Sequence, residues 1–278
     1  MLAVILIIIA SLFLEIGTSI GKSETTKKKE TLYGFGFLNL FLATAAFFLI
    51  AFFRGSFYFS VESLPTLFLR IILEILQAHI SLVAITTASR SNYSFIRTLT
   101  IPLLLGVDIA LGYAITGFEL MGISFIVISL LLLFLNHGFE RRGLIATAFT
   151  TLNAVLTISL FKYNITHFNS VEAEQGIVLS VLLLYFFTMS LWKDKVNPFT
   201  LLRKGIFLAQ SGGHGLATVL ESFAYLYVPA SIATAVVRAS GVFWSVVSGN
   251  MYFKEKQMRL KTVSFLLIAA GFVFLAFS

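Results

Sequence analysis

Long apolar runs dominate this chain and constrain its fold more than any other feature. They cover residues 2–21, 31–53, 63–87, 92–115, 119–136, 143–161, 173–192, 205–227, 229–252 and 260–277. Each is close to the ~20 residues an α-helix needs to cross the hydrocarbon core of a bilayer. Inside lipid a backbone must satisfy its own hydrogen bonds, which leaves a helix as the element for every run. The expected fold class is therefore an all-α membrane protein with ten transmembrane helices, numbered here 1 to 10. A soluble helical protein would lack the polar surface to cover itself: 58% of the 278 residues are hydrophobic and 12% charged, about half the charged share of a soluble domain. The first run has the length of a signal peptide but no basic n-region and no small-residue cleavage site, so a retained helix is expected.

The same composition excludes several function classes. There is no cysteine, hence no disulfide, thiolate chemistry or Cys-ligated metal. A net charge of +7 would point to nucleic acid only on a soluble face, and here the basic residues fall in short loops. No Gly-rich phosphate loop and no Ser/His/Asp arrangement stands out. The expectation is a protein that is not an enzyme, with no cofactor, no metal site and no nucleic-acid partner. His137 and His167 read as distant loop residues, Asn164-Ile165-Thr166 as a weak glycosylation acceptor, and Glu172 and Glu174 as solvated residues flanking a loop.

Loop charges orient the chain. Loops after odd-numbered helices carry Lys22, Lys27, Lys28, Lys29, Arg90, Arg141, Arg142, Lys193, Lys195, Arg203, Lys204, Lys254, Lys256, Arg259 and Lys261, which is 15 of 20 basic residues. Loops after even-numbered helices hold Arg54 and Lys162. The positive-inside rule makes the odd loops cytoplasmic. A multi-pass protein of the inner (plasma) membrane with both termini exoplasmic is expected.

The two halves echo each other. Helix 4 into helix 5 reads Arg97, then Gly117-Phe118-Glu119 and Gly122; helix 9 into helix 10 reads Arg238, then Phe253-Lys254-Glu255 and Gly271. The arginines are 141 residues apart and the glutamates 136. Five helices per half is odd, so residues 139–278 are expected to form an inverted copy of residues 1–138, a common transporter plan with a midplane site.

These features resemble the EamA-like ten-helix members of the drug/metabolite transporter superfamily. In that pattern each half closes with a helix, a short loop carrying Gly-Glu, and a helix with a late Gly; Phe118-Glu119 and Lys254-Glu255 stand in those loops, without the usual Gly. Helix 1, with Leu14-Glu15-Ile16-Gly17-Thr18-Ser19-Ile20-Gly21-Lys22, is similar to the first helix of the small multidrug resistance proteins. There the glutamate binds a proton and a cationic substrate in alternation. The Glu-to-Gly spacing is one residue shorter here, which rotates Gly17 and Thr18 by about 100°, so the resemblance carries over Glu15 alone, as the proton-coupling group.

Ionisable side chains inside a membrane helix are costly, and each is a functional candidate or one half of a structural pair. Helix 1 aligns Ser11, Glu15 and Thr18 on one face. Helix 3 aligns Arg70, Glu74, Gln77 and Ser81; Arg70 and Glu74, four apart, are expected to pair, and His79 on the opposite side is expected to pack. Helix 8 carries Gln210, His214, Glu221 and Tyr225 within an arc of about 60°. Ser211-Gly212-Gly213-His214-Gly215 is expected to interrupt that helix, either at a binding site or for close packing through small residues. A shift of 140 matches Glu74 to His214 and Ser81 to Glu221. Helix 4 offers Arg97 and Asp108 with Pro102 expected to kink it between them, and Arg97 near enough to the helix end to snorkel. Helix 6 offers Thr150, Asn153 and Thr157; helix 9 offers Ser231, Thr234, Arg238, Gly241, Ser245 and Gly249.

The expected architecture is a polar cavity walled by helices 1, 3, 4, 6, 8 and 9. Helices 5 and 10 would face lipid or a second copy in a homodimer. The expected function is secondary transport of a small polar or amphipathic solute, such as a metabolite, amino acid or organic cation. Substrate contacts fall to Glu74, Asp108, Asn153, His214, Glu221, Tyr225 and Arg238, and proton coupling to Glu15. Lipid flipping or partnership in lipid modification is the alternative, and an intramembrane enzyme the third.

Overall fold

The computed structural model describes residues 2–87, 96, 97, 99–135, 143–253 and 258–276. Among them every regular element is helical: α1 (Leu2–Thr26), α2 (Leu32–Arg54), α3 (Leu64–Thr87), α4 (Thr100–Ala110), α5 (Gly117–Leu135), α6 (Leu144–His167), α7 (Val171–Met189), α8 (Gly205–Ala224), α9 (Ala230–Phe253) and α10 (Met258–Ala276). Spans long and apolar enough to cross a bilayer occur at Leu2–Thr25, Leu32–Arg54, Val61–Ser81, Leu144–His167 and Val171–Asp194. Shorter apolar helices are Thr100–Ala110, Gly117–Leu132 and Leu266–Leu275. The outer surface agrees with lipid contact, because Phe52, Phe53, Phe68, Leu135, Ile145 and Trp192 project outward, a display of large apolar side chains that monomeric soluble proteins avoid. Arg90, His137, Arg141, Arg142, Lys254, Glu255, Lys256 and the junction at 138/139 lie outside the described residues.

Several boundaries differ from the sequence expectation, each for a physical reason. α6 continues to His167, so Lys162 is a buried helix residue rather than a loop residue, donating its Nζ to the Tyr225 carbonyl. Glu172 and Glu174 are buried in the first turn of α7 rather than solvated; a helix N-terminus favours such carboxylates. α4 ends at Ala110, where Gly112 turns the chain with φ of 82°, and Pro102 sits in the first turn of α4, where its missing N–H costs nothing.

Packing follows a simple order. α1 lies along α8 and α9; α2 lies against α7 and α8; α3 against α6 and α7; α4 against α6 and α9; α5 against α10. A continuous apolar core joins Ile7, Phe47, Ile101, Leu104, Phe161, Val178, Ile232 and Val236. A second cluster under the basic loops joins Tyr33, Phe37, Leu38, Phe186, Leu201 and Phe207.

The glycine cluster of α8 does not interrupt it. The helix runs unbroken from Gly205 to Ala224, and the glycines serve close approach. A Cβ on Gly213 would stand 2.8 Å from the Phe13 carbonyl oxygen and 3.2 Å from the Gly17 nitrogen of α1. The α5–α10 crossing uses the same device, since a Cβ on Gly122 would stand 3.0 Å from the Gly271 carbonyl oxygen. Gly213→Val is therefore expected to force α1 off α8 and cost about 1–3 kcal/mol or more. Gly212, whose Cβ would meet only Leu42 Cδ1 at 4.0 Å, should accept alanine with a gain of up to about 1 kcal/mol from helix propensity. Thermal unfolding in detergent separates the two, and equal midpoints would contradict this account of the crossing.

Candidate functional site

Two polar systems lie inside the helices. The first centres on Arg70 of α3, 3% exposed, and Glu174 of α7, fully buried. Arg70 donates Nη1 to Glu174 Oε1 at 2.8 Å and Nη2 to Gln175 Oε1 at 2.9 Å, and its guanidinium lies 4.5 Å over the Phe161 ring. Glu174 also accepts from Asn164 Nδ2 at 2.9 Å and Asn169 Nδ2 at 2.6 Å. Thr66 and Ser63 complete the shell on Asn164 and Asn169, and Gln175 donates to Ser222 on α8. Glu74, the expected partner of Arg70, is 3.8 Å away, a weak second contact. Asn164 is fully buried in this network, which removes it as a glycosylation acceptor. The network escaped sequence reading because its partners are 104 positions apart; the available signal was Asn164, Asn169, Glu172, Glu174 and Gln175 crowded around one helix start.

With Arg70 committed to Glu174, the second system is what remains. Glu74 of α3 lies within electrostatic reach of Arg97, just before α4, as well as of Arg70. Glu221 of α8 lies within reach of Arg238 on α9 and of the same Arg97. Tyr225 stands beside Glu221 and Arg238, and its hydroxyl meets Thr234 Oγ1 at 3.2 Å. Arg97 is thus within electrostatic reach of an acid on α3 and an acid on α8.

Other candidates have been drawn to structural tasks. Asp108, buried on α4, accepts from the Ala230 and Ser231 backbone N–H groups at 3.3 and 2.7 Å; it caps α9 and lies within reach of the Lys162 charge. Asn153 donates to the Leu73 carbonyl at 2.8 Å and to Gln77 Oε1 at 2.9 Å, stitching α6 to α3. His214 faces α1, stands edge-on to Phe35 at 6.1 Å, and keeps Nε2 buried with no hydrogen-bond partner among the described residues. His79 does more than pack, meeting the Tyr185 hydroxyl at 2.7 Å. Glu15 is half-buried on α1, with Ser19 Oγ donating to it at 3.4 Å.

The central cluster is balanced: Glu74 and Glu221 face Arg97 and Arg238. A buried charge left without its partner is strongly unfavourable. A solute entering between these pairs must therefore replace what it displaces, which suits a molecule offering both a cationic and an anionic group.

Comparison with known proteins adds the fold alone. No family model matches the chain, and no curated protein matches it. A solved crystal structure described only as "protein" superposes with a TM-score of 0.70, covering 98% of this chain and 96% of its own, at 15% identity.

Proposed function

We propose that this chain is a secondary transporter of the drug/metabolite transporter type, crossing the plasma membrane ten times as two inverted halves, residues 1–138 and 139–278, with both termini exoplasmic. The order of packing supports the two halves. Exchanging each helix for the one five positions on carries α1–α8 onto α6–α3, α2–α8 onto α7–α3, and α1–α9 onto α6–α4; it carries α2–α7, α4–α9 and α5–α10 onto themselves.

The observation that carries the function is the central cluster. Each half contributes one acid and one arginine, from equivalent helices: Glu74 and Arg97 from the first, Glu221 and Arg238 from the second. Rocking the halves against each other changes the distances across the cluster, so a solute bridging it responds to the conformational state. A zwitterion such as an amino acid fits the balance. Glu15 couples transport to a proton gradient, as the resemblance of helix 1 implies, and α5 and α10 face lipid or a second copy.

The first test is a thermal-shift screen of the purified protein against amino acids, sugars, nucleobases and quaternary amines, followed by counterflow in proteoliposomes. A stabilising zwitterion that exchanges across the vesicle wall is expected. Scrambling of a labelled lipid with no solute stabilising the protein would select lipid translocation instead. Glu15→Gln should abolish proton-driven accumulation while leaving solute counterflow and thermal stability intact; full gradient-driven activity in that variant would remove Glu15 from the mechanism.

A further inference from the structure

Glu30, in the loop between α1 and α2, is 4% exposed although it sits among Lys27, Lys28 and Lys29. Its carboxylate accepts from Gln210 Nε2 on α8 at 2.9 Å and meets Thr25 Oγ1 at 3.5 Å. Several nearby loop charges are otherwise engaged. Lys27 and Lys29 lie 3.2 and 3.8 Å from Glu24 of α1. Asp194 accepts from the Tyr33 N–H at the start of α2, and Lys204 before α8 lies over the Phe207 ring. Among the described side chains, no Lys or Arg nitrogen comes within 4.0 Å of Glu30. The contact is tightly built: a Cβ on Gly21 would stand 2.9 Å from Gln210 Nε2.

This contact has a counterpart at the other end of the bundle. The shift of 140 that matches Glu74 to His214 also matches Arg70 to Gln210. There, the first turn of α7 sets a buried acid, Glu174, against Arg70 of α3. Here, the connection between α1 and α2 presses a buried acid, Glu30, onto α8 of the other half. The two buried acids differ in partner: Glu174 meets a guanidinium, Glu30 a neutral carboxamide.

We propose that Glu30 and Gln210 form a proton-binding latch on the basic-loop side: the protonated carboxyl holds the α1–α2 connection on α8 and closes that end, and the carboxylate releases it. A carboxamide suits both forms. Its N–H₂ donates to a carboxylate, and when turned its oxygen accepts from a carboxyl O–H; Gln210 Oε1 is buried with no partner among the described residues. The proton comes from water on that side, and no other bond changes.

Burial pushes the Glu30 carboxyl up from 4.5 to about 7, the Gln210 and Thr25 hydrogen bonds opposing and the Glu24 charge reinforcing the rise. The latched state therefore binds the proton more tightly than a solvated loop does. Closure is strongest below about 4.5 and weakens about tenfold per pH unit up to about 7, above which it is constant. Closure of that end rests on the transporter reading; the proton site and the loop's response do not.

The test uses the full chain in nanodiscs with no solute. Because the chain has no cysteine, nitroxides on Lys28→Cys and Lys204→Cys report the loop-to-α8 distance without background. A short distance at pH 5 and a growing longer population toward pH 7 are expected. Glu30→Gln should hold the short distance at every pH. Gln210→Lys, which recreates the charge pairing of the opposite end, should do the same. In wild type, an infrared carboxyl band missing from Glu30→Gln should titrate near pH 7. A band titrating in the ordinary carboxylate range, a wild-type distance that ignores pH, or a Glu30→Gln distance that still follows pH would each overturn the latch. Absence of solute transport with the pH response intact would instead sink the transporter reading and leave the proton site standing.

Discussion

Replacing Arg70 with methionine is expected to lower stability by about 3–5 kcal/mol, the cost of leaving a buried carboxylate without its cation. The stem of methionine fills similar space and keeps contact with Phe161, so the loss reports the charge rather than a cavity. Asn164 and Asn169 still hold Glu174, but two amide donors do not offset a full negative charge in a medium this apolar. Glu174→Gln should be less damaging, since Glu74 at 3.8 Å still offers Arg70 a carboxylate and the new carbonyl still accepts from one asparagine. Combining it with Arg70→Met should cost clearly less than the sum of the singles, because the uncompensated charge is gone. A coupling of about 0.5–3 kcal/mol is the range for residues in one network. The control is Arg54→Ala. Arg54 lies 3.4 Å from Glu172 with its own side chain 62% exposed, and an ion pair solvated on one side contributes about 0–1 kcal/mol. Thermal unfolding of the four variants in one detergent decides the matter. Equal losses for Arg70→Met and Arg54→Ala would mean that Arg70–Glu174 does not hold α3 to α7.

The contrast between those two arginines also marks where sequence stops being informative. Apolar run lengths located α2, α3, α5, α7, α8, α9 and α10 to within a few residues, but missed the end of α1 at Thr26 and both ends of α4. They failed at α6, where Lys162 looked like the end of a span. A lysine can stay inside a helix when a carbonyl such as that of Tyr225 accepts a hydrogen bond from it, and that carbonyl is 63 positions away. Glu172 and Glu174 failed for the same reason: beside a short loop, a carboxylate facing water and one facing an arginine of another helix have the same sequence signature. Helical periodicity grouped Glu74, Glu221 and Arg238, which are half-buried in the structure. It could not tell them from Asp108, which sits on an equally polar face yet spends its carboxylate on the N–H groups of α9. Arg97, judged by its distance from a helix end, lies within electrostatic reach of acids on both α3 and α8.

Glu221→Gln should weaken solute binding at least about a hundredfold while leaving the helices assembled. Glu221 lies within reach of both Arg238 and Arg97. Neutralising it converts a balanced cluster into one with an excess positive charge, and the cationic end of a zwitterion loses its partner. Losing one member of a buried charge pair costs about 2–5 kcal/mol, and a hundredfold change in Kd corresponds to about 2.7 kcal/mol. The fold should survive better than in Arg70→Met, since Arg97 retains Glu74 as a second acid within reach. If the two halves are related as proposed, Glu74→Gln should weaken the same solute by a similar factor. Asp108→Asn should act differently: it loosens the cap on α9, lowers the unfolding temperature, and leaves the Kd of the surviving folded protein within a few-fold of wild type. Titration of the solute selected by the thermal-shift screen measures all three. If Glu221→Gln binds that solute as wild type does while Asp108→Asn abolishes binding, the site lies at the α4–α9 junction and the four-charge cluster is only a brace between helices. If both glutamine variants lose the solute and keep their unfolding midpoints, Glu74 of α3 and Glu221 of α8 grip one molecule between them, as the proposed site at the interface of two halves expects.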